Sequence, residues 1–372
     1  MWREADRPPL LGLAGVVSVL YLLSQVGLLL PAGNRRLIAP LDGLLSSTSL
    51  ATAVLLCLLG HLVARQLLSA RREGWSAPLW FTLGWLASLL ALLALVCGAV
   101  GAVSRVDSFD TTSDRDTGTA LLWVMSLTWN EWLADHLLQA RGDLTALWVF
   151  SVAAQLVVIT ALVVLLLGRR QVLVGVLAVV GAVAAAVWRA ATYEPDTWVR
   201  DSLATAHHAD AFLCGVAVAA LAPRVRLTQQ TATEVCGGLG LILVGGVLAL
   251  SFWSQEVQAQ TLPAVALLTA AFCLCADHRP STAGLTIQAL SAPRWQSLAT
   301  TWPFVLAWSY PVVITVGRRS FGENRYLAAL VALAVVLMMV RLSTLLEHRA
   351  VSLVARARPG SRHDSASRSA PT

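Results

Sequence analysis

Residues 144–188 read LTALWVFSVAAQLVVITALVVLLLGRRQVLVGVLAVVGAVAAAVW. Two apolar runs, Leu144–Gly168 and Val172–Trp188, flank the pair Arg169-Arg170. About 20 apolar residues carry a helix across the hydrocarbon core of a bilayer. The stretch therefore reads as two membrane helices joined by a tight turn, with the arginines holding that turn on the cytoplasmic side.

The pattern repeats in both directions. Leu10–Leu30, Ser46–Leu68, Leu79–Val103, Ala209–Leu221, Thr233–Trp253, Leu262–Ala276, Ser297–Val316 and Tyr326–Leu346 are further apolar runs. With the first pair they make ten expected crossings. Composition agrees: of 372 residues, 57% are hydrophobic and 13% charged, and the mean hydropathy is +0.69. A soluble domain carries about 25% charged residues. Half that charge cannot clothe a soluble body of 39.6 kDa. A cytosolic enzyme, a disordered chain, a collagen and a disulfide scaffold are all excluded.

Ala120–Ala134 is apolar but short, crowded by Trp123, Trp129 and Trp132 and interrupted by Asn130 and Glu131. Closely spaced tryptophans suit a membrane interface. With this segment non-spanning and the N-terminus inside, most of the 27 arginines fall on the cytoplasmic side. Were it to span, Arg169, Arg170, Arg224 and Arg226 would move outside. Two pairs, Arg35-Arg36 and Arg318-Arg319, break the pattern. The expected fold is an all-α polytopic membrane protein of about ten transmembrane helices plus one short interfacial or re-entrant helix, both termini cytoplasmic. Met1–Pro9 is short, polar and arginine-bearing. The run after it ends at Leu30-Pro31 without a small-x-small cleavage site, so the first helix is expected to direct insertion as well.

Every basic residue is arginine and none is lysine, a GC-rich coding bias of the kind actinobacteria carry. The net charge of +6 sits beside apolar runs, so it is read as topology and not as a nucleic-acid footprint. Cys57, Cys97, Cys214, Cys236, Cys273 and Cys275 lie in or beside apolar stretches. None has zinc-site spacing with histidines nearby, and all are read as packing thiols. No metal or resident cofactor is implied.

Ionisable groups at membrane depth are costly and mark cavities or paths. The densest set is His207-His208-Ala209-Asp210 at the outer start of the sixth crossing. It reads either as a histidine base oriented by a carboxylate or as an interfacial cluster solvated by headgroups and water. His61 reads as a proton relay or as a histidine satisfied by a neighbouring helix. Gln155 reads as an interhelical hydrogen-bond donor. Trp148 and Trp308 are packing anchors or substrate platforms, and Ser309 lies beside Trp308. The loop bearing Asp107, Asp110, Asp114 and Asp116 reads as a solvated outer loop.

Four stretches, in order, resemble one family. Leu147–Leu156 (LWVFSVAAQL) resembles its LWSLxVEEQF, and Thr205–Gly215 (TAHHADAFLCG) its TxTRADxLLLG. Ala307–Val312 (AWSYPV) resembles its late LWHWPV, and Leu342–Glu347 (LSTLLE) its closing LSxxxxE. The family is acyltransferase-3, whose multi-helix members transfer acyl groups, often acetyl, from a cytoplasmic donor to envelope glycans or lipids. The resemblance covers about residues 10–350. It implies an acyltransferase-3-like transmembrane domain over 1–350 and a disordered cytoplasmic tail over 351–372, rich in serine, arginine and proline from Ala357 onward.

The departures are chemical. The family's first-helix arginine and histidine correspond to Leu11 and Leu22. Its second-helix aspartate and serine correspond to Ala53 and Leu59, and its paired glutamates to Ala153 and Ala154. The arginine before its aspartate corresponds to His208 and its late histidine to Ser309. What stays is scaffold: Gly12, Tyr21, Gly60, Trp148, Gln155, Gly215, Trp308, Pro311 and Glu347, with Asp210. Acyl transfer needs a base, donors for developing oxyanion charge and cations for a phosphorylated donor such as acyl-CoA. Leucine and alanine supply none of these.

The resemblance thus implies a member with weakened or absent catalysis. Expected partners are membrane lipids, an envelope glycan or glycolipid, and a second membrane protein, with no nucleic acid. An active enzyme would use His207 or His208 as base and Asp210 as orienter, with Trp148, Gln155, Trp308 and Ser309 lining the substrate site and acyl-CoA as donor. A lipid or small-solute transporter is the third reading, disfavoured by the sparse intramembrane polar path.

Overall fold

The computed structural model describes residues 8–30, 48–106, 114–136, 140–192, 194, 202–250, 253, 255–278, 280–281, 284–319 and 324–357. In hydrocarbon no water pairs with backbone N–H and C=O groups, so each spanning segment closes them internally as a helix. The helices are α1 (Pro8–Gly27), α2 (Thr48–Glu73), α3 (Ala77–Val106), α4 (Asp114–Met125), α5 (Trp129–His136), α6 (Trp148–Leu167) and α7 (Gln171–Thr192). They continue as α8 (Ala206–Leu221), α9 (Gln229–Leu250), α10 (Gln255–Asp277), α11 (Leu285–Leu290), α12 (Pro293–Ala299), α13 (Trp302–Arg318) and α14 (Arg325–Ala357). Short 3₁₀ turns precede α6 (Gly142–Leu147) and follow α8 (Ala222–Arg224). There is no strand among the described residues.

Nine of these helices are long and apolar enough to cross a membrane, and ten crossings result when α12 and α13, bent by 67°, are taken as one broken span. The chain is an all-α polytopic membrane protein. The segment 120–134, expected as one short helix, is two. Helices α4 and α5 break at Leu127, whose φ of 59° lies in the left-handed region. At 12 residues, α4 rises only about 18 Å, too little to span.

Helix α2 is the hub. Its spanning window is 89% buried, and α1, α3, α6, α8 and α10 pack around it. Peripheral α7 and α9 bury only 28% and 22% of theirs, leaving broad apolar faces for lipid. Lipid tails are as apolar as leucine, so close van der Waals fit has to hold membrane helices together. Glycines provide that fit at two crossings. A Cβ on Gly60 would lie 2.1 Å from the Phe212 carbonyl oxygen, and one on Gly215 2.0 Å from that of Cys57. On α1, a Cβ on Gly12 would meet the Leu290 oxygen at 1.7 Å and one on Gly15 the Trp295 oxygen at 2.2 Å. The short inner helices α11 and α12 therefore seat directly on the backbone of α1.

One topological exception has an electrostatic answer. Arg318, at the C-terminal end of α13, lies 3.7 Å from Asp143. Asp143 also takes both Nε and Nη of Arg141, at 2.8 and 3.0 Å. Arg35 and Arg36 lie outside the described residues, as do Asp107 and Asp110. Asp116 is exposed on α4. The expected tail begins within α14, which stays helical to Ala357; the rest of it lies outside the described residues. All six cysteines are free thiols, five buried and Cys214 half-buried.

Candidate functional site

The end of the bundle at which α8 begins gathers polar side chains from four helices. The first turn of α8 carries His207, His208 and Asp210, all buried. Positions 207 and 210 are three apart and share a face. That face meets the end of α7, where Arg189 is itself buried. Arg189 donates to Asp210 Oδ1 at 3.1 Å, to Oδ2 at 2.5 Å, and to the His207 carbonyl at 2.6 Å. The expected partner of this carboxylate was a histidine ring. In the structure both carboxylate oxygens accept from Arg189, so Asp210 neutralises and orients a guanidinium instead. The physical cause is that a buried arginine in a membrane helix is too costly to leave without a counter-charge.

The histidines are tied by their Nε2 atoms. His208 Nε2 lies 2.6 Å from the Ser202 carbonyl oxygen. A carbonyl only accepts, so this nitrogen carries the hydrogen. His207 Nε2 lies 3.2 Å from Thr192 Oγ1, whose single hydrogen goes to the Trp188 carbonyl at 2.9 Å. His207 Nε2 therefore also donates. Neither Nε2 presents a lone pair to a substrate hydroxyl. The His208 ring leans on Trp148, centroids 4.7 Å apart, which places Trp148 as a packing surface for it.

Gln155, two turns along α6 from Trp148, links the cluster to the interfacial helices. Its Nε2 donates to the Leu127 carbonyl at 3.0 Å and to Asn130 Oδ1 at 3.1 Å, and its oxygen accepts from Thr205 Oγ1. Asn130 donates onward to the Leu203 carbonyl at 3.2 Å and to Thr205 at 3.0 Å. A left-handed leucine costs roughly 1–2 kcal/mol, and Gln155 bonds the carbonyl of that very residue. Trp129, fully buried, donates to the Leu144 carbonyl at 3.0 Å, so α5 is pinned to the turn that opens α6. The amide thus bonds other segments as expected, but as the centre of a network.

Trp308 and Ser309 do not join this cluster. They lie on α13, where Trp308 Nε1 donates to Ser343 Oγ of α14 at 2.9 Å, and Ser309 Oγ is buried without a hydrogen-bond partner. His61 is fully buried on α2, with Nε2 3.1 Å from Asp277 of α10. Arg65 donates to the same carboxylate at 3.0 Å. A neighbouring helix engages Nε2 of this histidine, while its buried Nδ1 has no hydrogen-bond partner. The residue that sequence reading missed is Arg189. Its signal was available: a charge one position past the apolar run Val172–Trp188, on the side where positive charge is disfavoured.

The apolar positions singled out in the sequence are packed. Leu11, Leu22, Ala53, Leu59, Ala153 and Ala154 are all buried. Leu11 and Leu59 line a small, partly open cavity of about 10 Å³ between α1, α2, α12 and α13, together with Leu55, Leu58, Leu62 and Trp302. A water needs about that volume and two to four polar partners; this lining is apolar, so the space stays dry. Searches against family models, curated proteins and solved structures found no match.

Proposed function

We propose that this chain is a non-catalytic, acyltransferase-3-like protein of a bacterial inner membrane that serves envelope biogenesis as a scaffold or as the partner of an active acyltransferase. The observation that carries this reading is the dry cavity between α1, α2, α12 and α13. Where the resemblance puts an arginine and a serine, Leu11 and Leu59 line an apolar space too small for an acyl donor. Acyl transfer there would have no base, no oxyanion donor and no cation for a phosphorylated carrier. Engagement of Asp210 by Arg189, and of both histidine Nε2 atoms by neighbouring oxygens, supports the same reading over a relocated His/Asp site.

Ester-linked acyl groups on envelope lipids and glycans would be compared by mass spectrometry between the parent strain, a clean deletion, and deletions complemented with the parent chain or with His207→Ala/His208→Ala. The expected result is that the folded double variant restores whatever the parent chain restores. Loss of an acyl species that the parent chain restores and the folded double variant does not would overturn the reading in favour of catalysis.

A further inference from the structure

The charged groups of the bundle fall into two kinds. At depth, each arginine described above has a carboxylate: Arg65 with Asp277, Arg141 with Asp143, Arg189 with Asp210. At the inner face several arginines have none among the described residues, and four of them share one corner. The end of α2 supplies Arg71 and Arg72, and the α6–α7 turn supplies Arg169 and Arg170. Tertiary packing brings the two pairs together. The stem of Arg71 lies against Gly168, where an added Cβ would come within 2.8 Å of its Cγ. The Gln171 amide, with its oxygen toward Arg72, accepts from Nε at 3.2 Å and from an Nη at 2.9 Å. Arg71 Nε is buried with no hydrogen-bond partner. That nitrogen is covered by the packing at Gly168, while Arg72, Arg169 and Arg170 stay exposed, so the cluster offers its charge to an anion through those guanidiniums.

The surroundings specify the acceptor. Ile159, Leu162 and Leu166 form an exposed stripe on α6 that runs directly into the arginines; Leu166 is 80% exposed. Trp75 and Trp80, 67% and 69% exposed, stand at the same level beside the α2–α3 turn, as tryptophans do at the headgroup layer. Cation cluster and apolar stripe in that order match one amphiphile. We infer that the α2 end and the α6–α7 turn form a binding site for an anionic phospholipid of the inner leaflet, its phosphate on Arg71, Arg72, Arg169 and Arg170 and an acyl chain along α6.

The test places the full-length protein in nanodiscs of equal phosphatidylcholine and phosphatidylglycerol, then counts lipids retained after detergent extraction by native mass spectrometry. The parent chain should retain phosphatidylglycerol selectively. A basic residue near an anionic surface contributes about fivefold in binding, so Arg71→Gln/Arg169→Gln should lower selective retention about 25-fold. Arg224→Gln/Arg226→Gln removes the same charge from the same face and should leave retention near the parent value. Arg71→Lys/Arg169→Lys keeps the charge, checks the fold, and should retain lipid at an intermediate level. Equal losses in both glutamine pairs would mean diffuse attraction and overturn the site. So would no preference in the parent chain, or displacement of the lipid by millimolar inorganic pyrophosphate, which would mark a soluble-anion site.

Discussion

Arg189→Ala should be among the most damaging single changes outside the glycine crossings. The side chains of Arg189 and Asp210 are only 5% and 4% exposed, so water cannot take over the role of either partner. Removing one partner of a buried pair strands the other and costs about 3–5 kcal/mol. Asp210→Ala should cost the same for the opposite reason, stranding a guanidinium. The joint variant Arg189→Met/Asp210→Val should behave differently. It replaces both charges by apolar groups of similar bulk and should lie within about 2 kcal/mol of the parent chain. The His207 carbonyl, which also accepts from Arg189, keeps its place in the helix ladder. The assay is reversible unfolding in mixed micelles followed by tryptophan emission, the chain having 14 tryptophans. Additive single costs in the joint variant, or either single change costing less than about 1 kcal/mol, would refute the argument that this pair is a mutually neutralised unit. Envelope function should follow stability: restored in the joint variant, because the charges are structural.

Three further outcomes follow from the geometry. Gly60→Ala and Gly215→Ala each drive a Cβ into opposing backbone at 2.1 and 2.0 Å; each should cost at least the upper end of the roughly 1–3 kcal/mol typical of overpacking, read by the same unfolding assay. Gly12→Ala should dislodge α11 and α12 from α1, since its Cβ would meet the Leu290 oxygen at 1.7 Å; limited proteolysis should then cut within 280–300, and an uncut variant would show that the inner helices are held elsewhere. Reporter fusions after Arg170 and after Arg226 should both report the cytoplasm; an external signal at either would overturn the orientation.

The spanning helices were legible because hydropathy is a local property. Leu144–Gly168 and Val172–Trp188 announce themselves in any window of the right length. Ala120–Ala134 declares itself too short and too rich in tryptophan to span. The cluster at the start of α8 was half legible. His207, His208, Gln155 and Trp148 do converge, since a histidine pair in the first turn of a helix and an amide two turns from a tryptophan must face something. Their partners were not legible: Arg189, Asn130 and Thr205 come from other segments, and spacing along one helix says nothing about which neighbour it meets. Trp308 and Ser309 were grouped with the site by resemblance, whereas packing ties Trp308 to Ser343.

The sequence by itself determined that this chain lives in a membrane, that it crosses nine or ten times and where its polar residues concentrate. Each of those follows from transferring a contiguous segment from water to hydrocarbon, an energy that sums over neighbours in sequence. Only the tertiary structure decided that Asp210 answers Arg189, that α11 and α12 ride on the glycines of α1, and that four arginines without a carboxylate among the described residues share one corner. Between helices already in lipid the apolar drive is nearly spent, so their arrangement is chosen by close backbone approach and charge pairing between residues far apart in the chain.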